Sequence, residues 1–314
     1  MWKSPRTGGL AALAIIVAAA PLAFPNAYFY DVAVNALFNA VVCVGLNLLI
    51  GYGGQISLGH AGFFALGAYG SAILTTRYGL PPLAAMLVTA GGVGGLAFVL
   101  GRPILKLKGH YLAMATLGIG IIIHIVLKTE SWLTGGPDGM GVDGFSVAGF
   151  AISGDRMWYW VGAGLLLVAV WLAQNLIDSP VGRALRAVHG SEVGAEVVGV
   201  DTTRYKVLVF VVSAVFASVV GSLFAHKNAF ITPDIGSFFR SIELVTMVVL
   251  GGMASTFGAV IGAVILTLLP QFLTAFEDYE AMVLGAIMMG TMIFLPKGLL
   301  PSLRLFFAKR RAAP

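Results

Sequence analysis

Charge is what this sequence has least of. Its 314 residues include 19 Lys and Arg and 14 Asp and Glu, together 11%, against about 25% in a typical soluble domain. So few charges cannot coat a water-facing surface. Cysteine is nearly absent as well. The single Cys43 lies in an apolar segment and supplies neither a disulfide framework nor a cysteine metal site. No G-x-x-x-x-G-K-S/T stretch occurs, which excludes a phosphate cradle with its lysine. H-E-x-x-H is also missing, and His60, His110, His124, His189 and His226 fall on different segments, so no metal centre is expected. The net charge of +5 sits in short connections, a pattern of membrane faces rather than of nucleic-acid binding.

Apolar runs are what the chain has instead. They cover residues 10–24, 32–50, 83–100, 157–172, 207–225 and 282–295, and mean hydropathy is +0.93. Each run approaches the roughly 17–25 residues that a helix needs to cross a bilayer. The fold expected is an all-α polytopic membrane protein with about eight to ten transmembrane or partly spanning helices, forming one permeation domain over 1–314. The basic start and apolar core of the first run could also make a signal peptide; with so many equal runs following, it reads as a first span.

Basic residues set the orientation. Lys3 and Arg6 precede the first run and place the N-terminus in the cytoplasm. Helices are predicted at 9–25, 31–50, 51–76, 82–101, 110–128, 157–174 and 205–227. Arg102, Lys106 and Lys108 mark one inner turn, and Arg183, Arg186, Arg204 and Lys206 mark the long inner connection 178–206. The polar connection 129–156, with Glu130, Asp138, Asp143 and Asp155, belongs on the outer, periplasmic side.

The last third breaks this regularity. As one straight helix, residues 241–269 would measure about 43 Å, well beyond the hydrocarbon core. After them come Glu277, Asp278 and Glu280, an apolar run, and a basic tail over 297–314 containing Lys297, Arg304, Lys309, Arg310 and Arg311. Single crossings at 241–269 and 280–296 would strand that tail outside. A break at Gly251 and Gly252 turns 241–269 into a broken or re-entrant hairpin that begins and ends near the outer face, and the tail returns inside. Irregular backbone at membrane depth needs cover from protein or a water-filled cavity, so this segment is expected to line the interior. One tilted span is the alternative.

Polar chemistry is confined to a few places. The stretch GYGGQISLGHAGFFALGAYG (51–70) sets seven glycines beside Gln55, Ser57 and His60. Gly51, Gly53 and Gly54 suit a turn, whereas Gly59, Gly62, Gly67 and Gly70 strip bulk from a helix. Ser57 and His60, three apart, would share a helical face. No carboxylate nearby in sequence would orient the imidazole, which argues against a membrane enzyme. The pairs Gly91/Gly95 and Gly258/Gly262 read as helix contacts in lipid. Lys128 and Lys227 near helix ends are explained by snorkelling, and Glu243 is left as a buried charge.

In the inner connection, GRALRAV makes a short helix with Arg183 and Arg186. Ser191 can cap a second one, with Glu192 in its first turn and Gly199 ending it. Val193 and Val197 then share one side, and Glu192 and Glu196 another. This is a handle for a soluble partner or a helix lying on headgroups. No proton relay is evident, so energy for pumping would come from elsewhere. An autonomous channel or secondary transporter is the rival class.

Three ordered blocks carry a family likeness. GYGGQISLGHAGFFALGAY (51–69), GRALRAVHGSEVGAEVVGVDTTRYKVLVFVVSAVFASVVGSLFA (182–225) and SIELVTMVVLGGMASTFGAVIGA (241–263) resemble the permease subunits of bacterial branched-chain amino acid ABC importers, the longer of the two permease types. The resemblance implies a translocation path for branched-chain or related amino acids, or for urea and short amides. It implies a second related permease, two ATP-binding cassette ATPase subunits that carry ATP and Mg, a periplasmic solute-binding protein, and the bacterial inner membrane as location. No cofactor is implied on this chain and no nucleic acid as partner. Path candidates are Gln55, Ser57, His60, Glu243, Gly251, Gly252 and Ser255. ATPase coupling falls on Arg183, Arg186, Glu192, Ala195, Glu196, Val197 and Gly199. The chain departs from the family pattern at VHGSE (188–192), where His189, Gly190 and Ser191 replace an expected arginine and acidic or amide residues.

Overall fold

In hydrocarbon a backbone can satisfy its own polar groups only as helices or closed barrels, and this chain takes helices. The structure, a computed structural model, describes residues 5–147 and 150–272 and isolated positions between 282 and 302. The expected acidic connection and final crossing, apart from those positions, and the basic tail lie outside the described residues. Helix α1 (Pro5–Ala19) is followed by a 3₁₀ turn (Ala20–Ala23), α2 (Ala27–Asn47), a π-helical turn (Leu48–Tyr52), α3 (His60–Thr76), α4 (Pro82–Ile104) and α5 (His110–Thr129). Next come α6 (Ser131–Thr134), β1 (Met140–Gly141), β2 (Ser146–Val147), β3 (Phe150–Ala151), α7 (Asp155–Asp178), α8 (Pro180–Gly190) and α9 (Glu192–Val197). The chain continues with α10 (Thr202–Asn228), β4 (Phe230–Ile231), a 3₁₀ turn (Pro233–Gly236), α11 (Phe238–Gly251) and α12 (Thr256–Phe272).

Five of these are long and apolar enough to span a bilayer: α2 with its π-helical turn, α4, α5, α7 and α10. They are not equivalent. α2 is buried along nearly its whole length, whereas α4, α5 and α7 turn Leu87, Val99, Met114, Ile122 and Trp171 outward. A central helix ringed by helices with apolar outer faces is the arrangement lipid requires, because an outward alkyl side chain costs nothing there. This is a multi-pass membrane protein.

The two ends of the bundle differ. At one, β1 pairs antiparallel with β4 and β2 with β3; this is the loop end. At the other, α8 and α9 sit between α7 and α10; this is the basic end. Ser179 caps α8 by accepting from the Val181 N–H at 3.1 Å, with Pro180 at the first helical position, where its missing N–H is harmless. Arg183 and Arg186 donate to the Asp178 and Ile177 carbonyls at the end of α7, at 3.4 and 3.0 Å. Cations are favoured at a helix C-terminus.

Small residues decide which helices touch. A Cβ at Gly67 would lie 2.1 Å from the Ser218 carbonyl oxygen, and one at Gly221 2.0 Å from that of Phe64. α3 and α10 therefore meet backbone to backbone. Gly258 and Gly262 press likewise on Gly251 and Met247 across α11 and α12. The expected contact role fails for Gly91 and Gly95, which have open space around them; their face of α4 points out of the bundle.

The break in 241–269 falls where charge parity put it. α11 ends at Gly251, Gly252 takes φ 117°, and α12 starts at Thr256. The two helices form an antiparallel hairpin. α11 is only about 21 Å long, and its start is drawn into the bundle by the 3₁₀ turn, where Pro233 O accepts from His124 Nδ1 at 3.1 Å. The start of α3 differs from expectation. Its helix begins at His60 rather than soon after residue 51; Gly53 and Gly54 turn the chain, Gly54 at φ 66°, and 55–59 is irregular up to α3.

Candidate functional site

Every fourth residue of α2 from Asp31 onward is polar or cysteine: Asp31, Asn35, Asn39, Cys43 and Asn47. A spacing of four makes each the neighbour of the next in a stripe that winds slowly around the helix, and its part from Asn39 to Asn47 meets the hairpin. Asn39 Nδ2 donates to Thr267 Oγ1 of α12 at 2.9 Å, and its Oδ1 accepts from Arg240 Nη2 of α11 at 2.6 Å. Cys43 Sγ lies 3.7 Å from both the Leu244 carbonyl and Met247 Sδ. Asn47 Oδ1 accepts from the Ala254 N–H at 3.0 Å, while Tyr52 donates to the Ala254 carbonyl at 2.7 Å. Ala254 sits at φ 58°, a left-handed conformation costing a non-glycine residue roughly 1–2 kcal/mol. Its two bonds to α2 and the π-helical turn hold it there.

Above these contacts the face opens. A cavity of about 1060 Å³ lies between α2, α10, α11 and α12 and reaches from Asn35 and Gln271 down to Thr246 and Met247. Its wall is mostly apolar, with Phe38, Phe64, Phe224 and Leu266, and carries Arg240, Glu243 and Asp234. Arg240 Nη1 donates to Glu243 Oε2 at 2.7 Å. Beside the cavity, the almost buried Lys227 ammonium pairs with Asp31 and reaches Asn35 Oδ1 at 3.4 Å. Lys227 therefore does not snorkel; it fastens α10 to α2.

The irregular run 53–59 forms a second polar cluster. Gly53, Gln55, Ser57 and Gly59 are buried while Gly54 and Ile56 face out. His60 Nδ1 lies 2.8 Å from Ser57 Oγ and its Nε2 lies 2.7 Å from Ser213 Oγ of α10. A hydroxyl can give or take a hydrogen bond, so both ring nitrogens are satisfied in either tautomer. Ser57 and His60 do meet, but across the irregular lead-in to α3 rather than along one helical face. Thr116 of α5 accepts from the Leu58 N–H at 3.1 Å, and Ser241 of α11 from the Ala61 N–H at 3.2 Å. Gln55 is buried with neither amide atom hydrogen-bonded among the described residues.

At the basic end, Ser191 caps α9 by accepting from Gly194 N–H at 3.1 Å, and Gly199 follows at φ 84°. Glu192 bridges Lys206 at the foot of α10 and Lys108 of the α4–α5 connection, the latter at 3.3 Å. Burial pushes the Glu192 carboxyl up, but the two ammonium groups more than offset it and hold it below the ordinary glutamate range. Glu196 accepts from Thr202 Oγ1 at 2.9 Å, and Ala195 is buried. Val193, Val197 and Val198 face away from the protein, 65%, 81% and 75% exposed.

Comparison with known proteins gives this geometry its context. The family described as branched-chain amino acid transport system, permease component, matches residues 28–292. The chain belongs to this permease family. It is 34% identical to the high-affinity branched-chain amino acid transport system permease protein LivM of Salmonella typhimurium, over 87% of this chain and 70% of the relative. LivM of Escherichia coli is 33% identical over the same shares. LivH of Escherichia coli is 27% identical over 89% of this chain and 96% of the relative. No solved structure matches.

The permease thus separates the residues that its sequence singles out. Ser57 and His60 lie in the closed cluster, Gln55 is buried in the same run without a hydrogen bond among the described residues, and Glu243 lines the cavity. Gly251 and Gly252 form the hairpin tip, where Ser255 Oγ caps α12 by accepting from Gly258 N–H at 3.1 Å. Of the expected coupling residues, Glu192, Ala195 and Glu196 fasten α9 inward, Arg183 and Arg186 reach back to α7, and Val197 faces out. Arg240, Asn39, Asn35 and Asp234 were missed. The four-residue ladder on α2 was the available signal for two of them.

Proposed function

We propose that this permease is one of two related membrane subunits of an ATP-driven importer in the bacterial cytoplasmic membrane, and that branched-chain or related amino acids pass through the cavity between α2, α10, α11 and α12. One observation carries the reading: the cavity reaches to mid-bundle at Met247 and goes no deeper, because Cys43, Asn47 and Tyr52 hold the hairpin against α2 below it. A passage with its blind end at the basic side is the outward-facing half of an alternating-access cycle. The positive-inside pattern puts the basic end and the N-terminus in the cytoplasm.

In this reading two ATPase subunits hold ATP and Mg and dock on Val193, Val197 and Val198, and a solute-binding protein delivers substrate onto 129–156 and 228–240. Closure of the ATPases reaches the bundle through Glu192, which ties α9 to α10. Sliding the hairpin along the α2 ladder would open the basic end. The chain itself contributes no cofactor site. A ribose import permease of Haemophilus influenzae is 24% identical, so sugars, urea and short amides remain the comparison substrates.

The test places a cysteine at Thr246, in a Cys43→Ala background, within the importer reconstituted in vesicles. An impermeant thiol reagent added on the loop-end side is expected to label it and stop ATP-dependent uptake. Full labelling with undiminished uptake sinks the cavity as the path.

A further inference from the structure

The cavity wall carries two carboxylates and one guanidinium. Arg240 commits one N–H to Glu243 and one to Asn39, out of five that a guanidinium offers. Those two bonds fix its plane from both sides, from α11 and from α2, while 28% of its side chain stays exposed. Asp234 lines the same cavity and is exposed; its backbone carbonyl accepts from the Ser237 N–H at 3.0 Å, while its carboxylate has no hydrogen-bond or ion-pair partner among the described residues. A purely anionic ligand would meet more carboxylate than guanidinium here, and a purely cationic one would meet Arg240. A zwitterion brings one charge for each. The surrounding Phe38, Phe64, Phe224, Met247 and Leu266 suit an apolar side chain.

The geometry points to a zwitterion-recognition site in which Arg240 holds the α-carboxylate of a neutral, apolar amino acid and Asp234 receives its α-ammonium. Asn39 and Glu243 are positioning residues that pre-orient the guanidinium, so little rotamer freedom is lost when substrate arrives. The site spans α11 and the turn that precedes it, and Asn39 and Thr267 tie it to α2 and α12. Movement of the hairpin would therefore move the carboxylate site with it. This inference rests on the cavity being the path, yet the two fail separately: the Thr246 cysteine probes the path, and the variants below probe recognition on it.

The purified assembly of both permeases and ATPases, without binding protein, is mixed with millimolar L-leucine and followed by saturation-transfer NMR. 4-Methylpentanoate and isoamylamine, each lacking one charge, serve as comparison probes. L-Leucine is expected to give the strong signal. Arg240→Gln should weaken that signal roughly tenfold or more, the scale of a lost charge-assisted hydrogen bond. Uptake should fall in parallel. The double variant Arg240→Gln/Glu243→Gln should do no better. Recovery of uptake in the double variant would mean that Arg240 only neutralises Glu243, and overturns the assignment. An undiminished L-leucine signal in Arg240→Gln does the same. Should Arg240→Gln fail to assemble, Asp234→Asn carries the test: its L-leucine signal falls several-fold, and an unchanged one overturns the site.

Discussion

Two polar clusters sit in the same apolar bundle and treat their hydrogen bonds in opposite ways. Around His60 the account is closed except at Gln55: both ring nitrogens meet hydroxyls, Thr116 and Ser241 take the backbone N–H groups beside it, and the buried Gln55 amide has no hydrogen bond among the described residues. Around Arg240 it is open. Two N–H groups are committed, the partly exposed side chain lines a cavity, and the Asp234 carboxylate lining the same cavity has no hydrogen-bond or ion-pair partner among the described residues. A closed cluster in an apolar interior specifies how helices seat, because any slip leaves a polar group unsatisfied. An open one costs stability unless something fills it. Density of polar residues in sequence singled out the His60 cluster; of the same candidates Glu243 lines the cavity, beside Arg240, which that density does not mark.

The comparison breaks most sharply where the closed cluster is anchored. His60 reaches Ser213 only because α3 and α10 touch at Gly67 and Gly221. Gly221→Val forces a side chain onto the Phe64 carbonyl, and overpacking of that kind costs about 3 kcal/mol or more. We expect the yield of monodisperse protein to collapse. Normal yield and melting temperature would deny that this contact seats the cluster.

His60→Ala comes next. Interhelical hydrogen bonds in membranes contribute about 0.6 to 1.7 kcal/mol each, so removing two partners at once costs about 1–3 kcal/mol. The melting temperature in detergent should fall while uptake per folded molecule holds. The reverse result, intact melting and lost uptake, would move His60 from architecture to the path. Asn39→Ala should show the opposite profile. Loss of one neutral hydrogen bond to Arg240 is worth about 1 kcal/mol, roughly fivefold, and it should appear in uptake with melting little changed. Equal loss in both measurements would erase the contrast between the clusters.

How much of this was legible in advance follows from where the signals lie. Apolar runs and basic turns located α1 to α5, α7 and α10, because length and charge act locally. The hairpin break followed from parity, a global constraint, and Gly252 supplied the backbone freedom to realise it. The caps Ser191 and Gly199 were readable from residue type. Arg240 was not: in sequence it ends a polar connection, and only the inward dip of 232–237 carries it into the bundle. Lys227 near a helix end reads as a snorkelling lysine until Asp31, far away in the chain, is seen beside it. The run at 53–59 was half legible: Gly53 and Gly54 read as a turn and make one, Gly54 at φ 66°, but the delay of α3 to His60 carries no local signal.

The smallest expected effect lies at the basic end, where α9 is held by a charge rather than by close packing. Glu192 is depressed below its ordinary range in the folded state by Lys206 and Lys108, so the folded carboxyl binds its proton more weakly than the unfolded one. Its stabilisation is complete above the unfolded value and drains away as pH falls through the folded one. Hydrogen exchange over 192–200 should therefore quicken as pH drops below about 4, after correction for the intrinsic exchange rate. Glu192→Gln should remove that dependence and show faster exchange at neutral pH as well. Lys206→Met would leave Lys108 as the sole cation beside Glu192 and shift the loss toward higher pH. If exchange in the parent is flat with pH, the ion pairs do not hold α9. Its seat would then rest on buried Ala195, the Ser191 cap and the Thr202–Glu196 bond, and the link from a docked partner to α10 would run through packing and those bonds.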